Sequence, residues 1–154
     1  MKRVFLGGTA NNSTWREQLI PLLKDAGLDY FNPILPDGEN WDETAQQKEL
    51  NERASCDFCL YTITPKFSGV YAVAEAVDDS NKRPEKIIFC VLKNDDDTEF
   101  DDDQMKSLES VSLMIERNGG YCCTNLEAIV LYMYQSCDVT IETILEELPF
   151  SKFR

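Results

Sequence analysis

The alternation of short apolar runs with helical patterns most constrains the fold of this chain. Ile87 to Val91 is a continuous apolar run of strand length, and Phe58 to Ile63 is nearly so. Runs of this kind are typical of strands that are buried on both faces of a parallel sheet. Val4 to Leu6, which a glycine pair ends, has the same character, and Leu28 to Phe31 is a second, shorter candidate. We therefore predict these four segments as strands, with a further short one at Tyr121 to Cys123.

Helical patterns separate the predicted strands. Apolar residues recur there at spacings of three and four, and several segments begin at a capping residue or end at glycine. Pro21 lies inside the first of these segments and is expected to kink it. The alternation predicts an α/β three-layer sandwich with a parallel sheet of four or five strands, in a single domain over residues 1–154. The predicted helices cover about residues 13–26, 42–54, 70–77, 105–115, 125–134 and 138–148, and Val70, Val73, Ala74 and Val77 are placed on one face of the third.

Charge and the lack of histidine limit what the protein can do. The chain has 154 residues, of which 28 are acidic and 15 basic, for a net charge of -13. Nucleic-acid binding is not expected, because contacts with phosphates need clustered lysine and arginine. No histidine is present, so catalysis would depend on carboxylates, thiols, hydroxyls or backbone groups.

Residues 94–103 hold seven acidic side chains. Like charges at this density repel one another, so we predict an acidic surface loop that is solvated and mobile. A divalent-cation site is the alternative, although the segment lacks the glycine and the ligand spacing of an EF-hand loop. A third hypothesis is that the acidic segment docks to a basic partner.

The cysteines bear on location and on metal binding. The chain has six of them, without an N-terminal apolar run long enough for a signal sequence and without a stretch that could span a membrane. We expect a cytoplasmic protein with reduced thiols and no membrane contact. Cys56 and Cys59 have the spacing of half a zinc site or of a redox pair, but they also flank the start of a buried strand, where cysteine acts as a small hydrophobe. We expect no metal and no cofactor.

The carboxyl ends of the predicted strands give a candidate site, since ligands of parallel sheets bind there. The first strand ends at Gly7-Gly8-Thr9, the second at Asn32, and the third before Ser68 and Gly69. Glu75 stands in an otherwise uncharged stretch, either on a solvated helix face or at the edge of a pocket. Asp57, at the start of the third strand, is either an ordinary turn residue or a residue that reaches a pocket.

Three motifs resemble the nucleoside 2-deoxyribosyltransferase family, in its deoxyribosyltransferase-like branch. They are the strand that ends in a glycine pair before a helix bearing Trp15, the segment Phe31-Asn32-Pro33, and the stretch from Ala54 to Glu75 with Gly69-Val70-Tyr71 in it. The resemblance covers about residues 3–92. It implies a flavodoxin-like or Rossmann-like sandwich that assembles as a homo-oligomer and acts on a small nucleoside or nucleotide.

The resemblance also implies roles for individual residues. Glu75 would attack C1′ of the 2-deoxyribose to form a glycosyl-enzyme ester, and Asp57 would assist the departing base. A second base or water would then complete transfer or hydrolysis. The glycine pair, Thr9 and the turn from residue 11 to Trp15 would border the sugar. Further implied lining residues are Asn32, Ser68, Gly69, Tyr71 and, from a neighbouring subunit, Asn125.

Two positions depart from the family pattern. Phe5 stands where the family often has a tyrosine that holds the nucleophile, and Gly69 stands where classical transferases have an acid or a serine. These departures motivate an alternative hypothesis, in which the same fold binds or senses nucleotides without catalysis.

Overall fold

The computed structural model describes residues 1–10 and 12–137. Its main sheet has five parallel strands in the order β2-β1-β3-β4-β7, and a two-stranded antiparallel hairpin, β5-β6, lies apart from it. The five predicted strands are all present, as β1 (Arg3–Gly8), β2 (Asp29–Phe31), β3 (Phe58–Ile63), β4 (Ile87–Val91) and β7 (Tyr121–Cys123). The hairpin strands β5 (Asn94–Asp95) and β6 (Thr98–Glu99) were not predicted.

Five α-helices are described. They are α1 (Trp15–Asp25), α2 (Glu43–Ser55), α3 (Tyr71–Lys82), α4 (Asp102–Arg117) and α5 (Leu126–Gln135). The helix predicted over residues 138–148 lies outside the described residues. Among the described helices, none is long and apolar enough to cross a membrane.

Two apolar cores lie on opposite faces of the sheet. Alternate residues of a strand point to opposite faces, so Val4 and Leu6 join α1 and α5 in one core, while Phe5 joins α3 and α4 in the other. The central strands β3 and β4 are buried along their whole length. The predicted three-layer sandwich with a parallel sheet is therefore confirmed.

The inward face of α3 differs from the prediction. Val70 precedes the helix and is 71% exposed, and Ala74 is exposed as well, whereas Ala76, Asp79 and Ser80 are buried. The helix turns its carboxylates inward because Arg53 of α2 pairs with Asp79 at 3.0 Å. The attraction between the two charges, together with their hydrogen bonds, offsets the hydration that each charge loses on burial.

Residues 94–103 lie mostly at the surface, where six of their seven acidic side chains are exposed as expected, but the segment is more ordered than a simple loop. The segment folds into the β5-β6 hairpin, and Asp101 then caps α4 by accepting a hydrogen bond from the backbone N–H of Gln104. Asp95 is only 7% exposed and accepts hydrogen bonds from the hydroxyls of Ser13, at 2.6 Å, and Thr64, at 2.5 Å. At Asp95 these hydrogen bonds outweigh the repulsion from the neighbouring acidic residues. The buried carboxylate thereby links the hairpin to the loops that hold Ser13 and Thr64.

We expect Asp95→Ala to lower the free energy of unfolding by about 2–3 kcal/mol, because it leaves two hydroxyl groups without their buried acceptor. Urea denaturation measures the change. Asp97→Ala is the matched control, since Asp97 is exposed in the same hairpin turn, and its cost should stay below about 0.5 kcal/mol. Equal losses from the two variants would contradict the structural role of Asp95.

Candidate functional site

Two adjoining cavities open at the carboxyl ends of β1 and β3. They share Gly8, Ala72 and Glu75 and have volumes of about 220 and 210 Å³. We call the first the loop cavity, because the loops after β1 and β3 form it with Gly8, Thr9, Ala10, Ile63, Phe67, Ser68, Gly69, Tyr71, Ala72 and Glu75. The second is the α2 cavity, formed by Phe5, Gly7, Gly8, Arg16, Pro33, Ile34, Trp41, Glu49, Ala72 and Glu75.

The glycine pair at the end of β1 lets the central strands approach closely. A Cβ atom at Gly8 would lie 2.1 Å from the carbonyl oxygen of Thr62, and the φ angle of Gly8 is +117°. A Cβ atom at Gly7 would lie 2.7 Å from the ring of Tyr61. Only glycine fits at either position, and the backbone of Gly8 consequently forms part of the wall of both cavities.

Glu75 lies where the two cavities meet. Its side chain is 11% exposed, and its Oε2 atom is buried. Oε2 lies 3.1 Å from Nη1 of Arg53 and forms an ion pair with it, but the two groups do not have the geometry of a hydrogen bond. The other terminal nitrogen of Arg53 binds Asp79, which also accepts a hydrogen bond from the hydroxyl of Tyr61. This buried network holds the Arg53 guanidinium in place beside Glu75.

The surroundings of Glu75 change its acidity. Burial raises the pKa of Glu75 to about 7; Arg53 acts in the opposite direction, while Glu49 and Asp79 raise it further. Desolvation thus outweighs the neighbouring cation. Functional sites often contain a carboxyl group that lies in a cavity and has a pKa near neutrality.

Arg16 brings a buried positive charge to the α2 cavity. Its guanidinium donates hydrogen bonds to the backbone carbonyls of Leu6 and Thr9 and lies 4.3 Å from the centre of the Trp15 ring. Burial lowers the pKa of Arg16 to about 10, and the carboxylate of Glu49 raises it. At neutral pH Arg16 therefore remains charged, and its field extends over the cavity towards Glu49.

The structure brings together most of the residues that the sequence nominated. Both cavities include Gly8 and Glu75, the α2 cavity includes Gly7, and the loop cavity includes the rest of this group, which are Thr9, Ser68, Gly69 and Tyr71. Residue 11 is outside the described residues.

Three nominated residues have structural roles away from the cavity walls. Trp15 is buried and donates a hydrogen bond from its indole nitrogen to the carbonyl of Thr9, at 2.7 Å. Asn32 accepts a hydrogen bond from the backbone of Ile34 and so forms a turn. Asn125 caps α5 by accepting from Ala128. Within one protomer these side chains therefore support the loops and helices rather than line either cavity.

Asp57 does not belong to this site. Its carboxylate accepts a hydrogen bond from the backbone N–H of Arg3, at 2.9 Å, and its own N–H donates to the carbonyl of Arg3. Arg3 begins β1, so Asp57 lies at the amino end of the sheet, whereas Glu75 lies at the carboxyl end. The hypothesis that Asp57 assists a departing base from a shared cavity is wrong for this arrangement.

Glu49, Arg53 and Arg16 also belong to the site, although the motifs of the sequence did not indicate it. One signal was available, since Glu49 and Arg53 are four residues apart on α2, as Glu75 and Asp79 are on α3. Residues at that spacing share a helix face, and two faces of this kind pair their charges when the helices meet.

Cys56 and Cys59 are buried free thiols. Burial raises the pKa of Cys56 to about 12 and that of Cys59 to about 11, so both are protonated at neutral pH. Within residues 1–10 and 12–137, no group of three or more cysteine, aspartate or glutamate side chains is arranged to hold a metal ion.

We expect Glu75→Gln to be more stable than the wild type at pH 8 and about equally stable at pH 5. Because the pKa of Glu75 is raised on folding, the folded protein keeps a proton that the unfolded chain releases between about pH 4.5 and 7. Stability therefore falls as the pH rises through that window. Glutamine resembles the protonated form, so the gain at pH 8 should be about 1–3 kcal/mol in urea denaturation.

Glu39→Gln is the control for this measurement, because Glu39 is exposed in the loop before α2. It should show no gain that depends on pH. Parallel pH profiles for the wild type and Glu75→Gln would refute a raised pKa at this position.

One family model matches the part of the chain that holds both cavities. No match to a curated protein was found. The family model described as "Nucleoside 2-deoxyribosyltransferase like" matches residues 1–95, which is more than half of the chain. That range includes β1 to β4 and every residue that lines either cavity. The chain therefore belongs to the nucleoside 2-deoxyribosyltransferase-like family.

Proposed function

We propose that this protein transfers or hydrolyses the N-glycosidic bond of 2-deoxyribonucleosides or their monophosphates, with Glu75 as the nucleophile. The observation that carries the proposal is the position of Glu75 at the junction of two cavities. A nucleoside whose C1′ atom lies beside this carboxylate extends its sugar into one cavity and its base into the other. The family suggests glycosyl transfer on nucleosides and supports the same reaction.

The reaction proceeds in two steps. A carboxylate oxygen of Glu75 attacks C1′, and the C1′–N bond breaks, so that the base leaves with the bonding electrons and takes up a proton from water. The sugar is then bound to Glu75 as an ester. In the second step the nitrogen of another base or a water oxygen attacks C1′, the ester bond breaks, and the Glu75 carboxylate is restored.

Arg53 positions the nucleophile. Oε2 of Glu75 is buried next to the guanidinium, which leaves Oε1 as the oxygen available to C1′. The fixed cation also stabilises the carboxylate when it is released from the ester. The positive charge that develops on the sugar in the transition state is in turn attracted by the carboxylate of Glu75.

We expect kcat/KM to rise with pH and to level off above an apparent pKa of about 7, because only the ionised form of Glu75 is a nucleophile. The assay follows base release and base exchange from the four common deoxynucleosides and their 5′-monophosphates, with and without free adenine. Glu75→Ala should abolish both reactions.

Asp78→Asn is the matched control on the same helix, since Asp78 is exposed and pairs with Lys82. It should keep wild-type activity. Base release that survives Glu75→Ala, or a complete lack of release from the whole panel, would exclude the proposed reaction.

Nucleotide binding without catalysis is the second candidate function. The ion pair between Arg53 and Glu75 favours it, because a paired carboxylate is a weaker nucleophile than one without a cation beside it. The departures at Phe5 and Gly69 favour it as well. A rise in melting temperature with a deoxynucleotide, in the absence of any product, would select this alternative.

Three expectations about the whole protein stay predictions. They are a single domain over residues 1–154, a cytoplasmic location and assembly as a homo-oligomer. Exposed apolar side chains on α5, Leu131 and Tyr134, lie beside Leu22 of α1 and are compatible with such an assembly.

A further inference from the structure

We propose that the α2 cavity holds the nucleobase and that Glu49 selects bases which present N–H donors to it, with the edge of guanine as the best fit. The inference rests on the proposed function for its substrate class. It starts from the different walls of the two cavities and from the carboxylate of Glu49.

The walls of the cavities suit different parts of a nucleoside. The loop cavity has backbone at Gly8 to Ala10 and hydroxyl side chains at Thr9 and Ser68, which are groups that bind sugar hydroxyls. The α2 cavity has the flat indole of Trp41 with Phe5 and apolar residues of the loop after β2. Planar bases stack on aromatic rings, and both cavities offer such rings, since Phe67 and Tyr71 line the loop cavity. The base is assigned to the α2 cavity because Glu49, which can accept hydrogen bonds from the N–H groups of a base, lines that cavity and not the other. The sugar is then assigned to the loop cavity.

Trp41 is placed for stacking on a ligand in the α2 cavity. Its side chain is 56% exposed although it lines a cavity wall. Removing a large apolar group from water lowers the free energy of the system. A base that covers the indole supplies this burial.

Glu49 is the second carboxylate of the α2 cavity, after Glu75. It interacts electrostatically with both Arg16 and Glu75. In the part of the chain that the structure describes, its carboxylate has no hydrogen-bond partner. A side chain that is half-buried in a cavity wall and lacks such a partner has hydrogen-bonding capacity for a ligand.

The chemistry of a carboxylate determines which bases it selects. An ionised carboxylate only accepts hydrogen bonds, through two parallel oxygens. Guanine presents two adjacent donors, the N1–H and the 2-amino group, which match those oxygens as a charge-assisted pair. Adenine, cytosine and thymine each offer a single donor group on the corresponding edge, and hypoxanthine keeps N1–H but lacks the 2-amino group.

The experiment compares deoxyguanosine with deoxyinosine, which differ only in that amino group. We expect the wild type to prefer deoxyguanosine by at least about 10-fold in kcat/KM, the effect of one hydrogen bond to a charged group. Glu49→Gln should reduce the preference to less than about 3-fold, because the amide replaces one acceptor oxygen with a donor. Glu49→Ala should do the same without introducing that donor.

Glu43→Gln is the matched control, since Glu43 lies at the start of the same helix and outside the α2 cavity. It should keep the preference of the wild type. Equal activity of the wild type on the two nucleosides, or a uniform loss on both in Glu49→Gln, would overturn the role of Glu49 in base selection.

A binding measurement separates this inference from the proposed reaction. Calorimetry with Glu75→Gln, which cannot form the ester, gives the affinity for each nucleoside without turnover. A preference for deoxyguanosine that disappears in the Glu49→Gln/Glu75→Gln double variant supports base selection even when the wild type forms no product. Product formation with no preference in either assay refutes base selection while the proposed reaction stands.

Discussion

The buried contact between Arg53 and Asp79 is the interaction on which the site depends. Asp79 is fully buried, and its two oxygens bind Arg53 and Tyr61, while Arg83 lies 3.2 Å away. Removing a charge from water is costly unless it is paired and hydrogen-bonded, and here both conditions are met. Because Tyr61 belongs to β3, the network fixes α2 and α3 to the central sheet at one point. Glu75 lies one helical turn before Asp79, so the same network places its side chain next to the Arg53 guanidinium, at the junction of the two cavities.

The same network makes Glu75 a compromise between stability and chemistry. A carboxylate that is 11% exposed loses hydration, and Arg53 restores only part of it, so its pKa stays near 7. A group in this condition destabilises the fold at neutral pH, as functional residues often do. In the proposed reaction this poorly hydrated carboxylate, which is about half ionised at pH 7, would supply the nucleophile.

The sequence was sufficient for the architecture and for part of the site. The strands were predictable because β3 and β4 are almost entirely apolar. Glu75 was noticeable because it interrupts an uncharged stretch, but only the family resemblance favoured a site over a solvated helix face. Asp57 was misplaced because the resemblance of the motif was given more weight than its position at the start of β3, which is the end of the strand opposite the site. Asp95 was misjudged because its charge was counted with six others, although hydroxyls of two distant loops make its burial favourable. Glu49 and Arg53 needed the tertiary structure, since the spacing on α2 indicates a shared face but not what that face meets.

The two cavities depend on the sequence in different ways. The loop cavity follows from the fold itself, because a parallel sheet always exposes backbone at the carboxyl ends of its strands and Gly7 and Gly8 are required by the close approach of β3. The α2 cavity instead takes Glu49 from a helix and Trp41 from the loop before it, both of which can change without disturbing the sheet. Under the proposed function, sugar binding is therefore tied to the architecture, whereas base selection is a property of α2 and its preceding loop. Under this division, related chains can keep the glycine pair and the glutamate of α3 and still differ in the base that they accept.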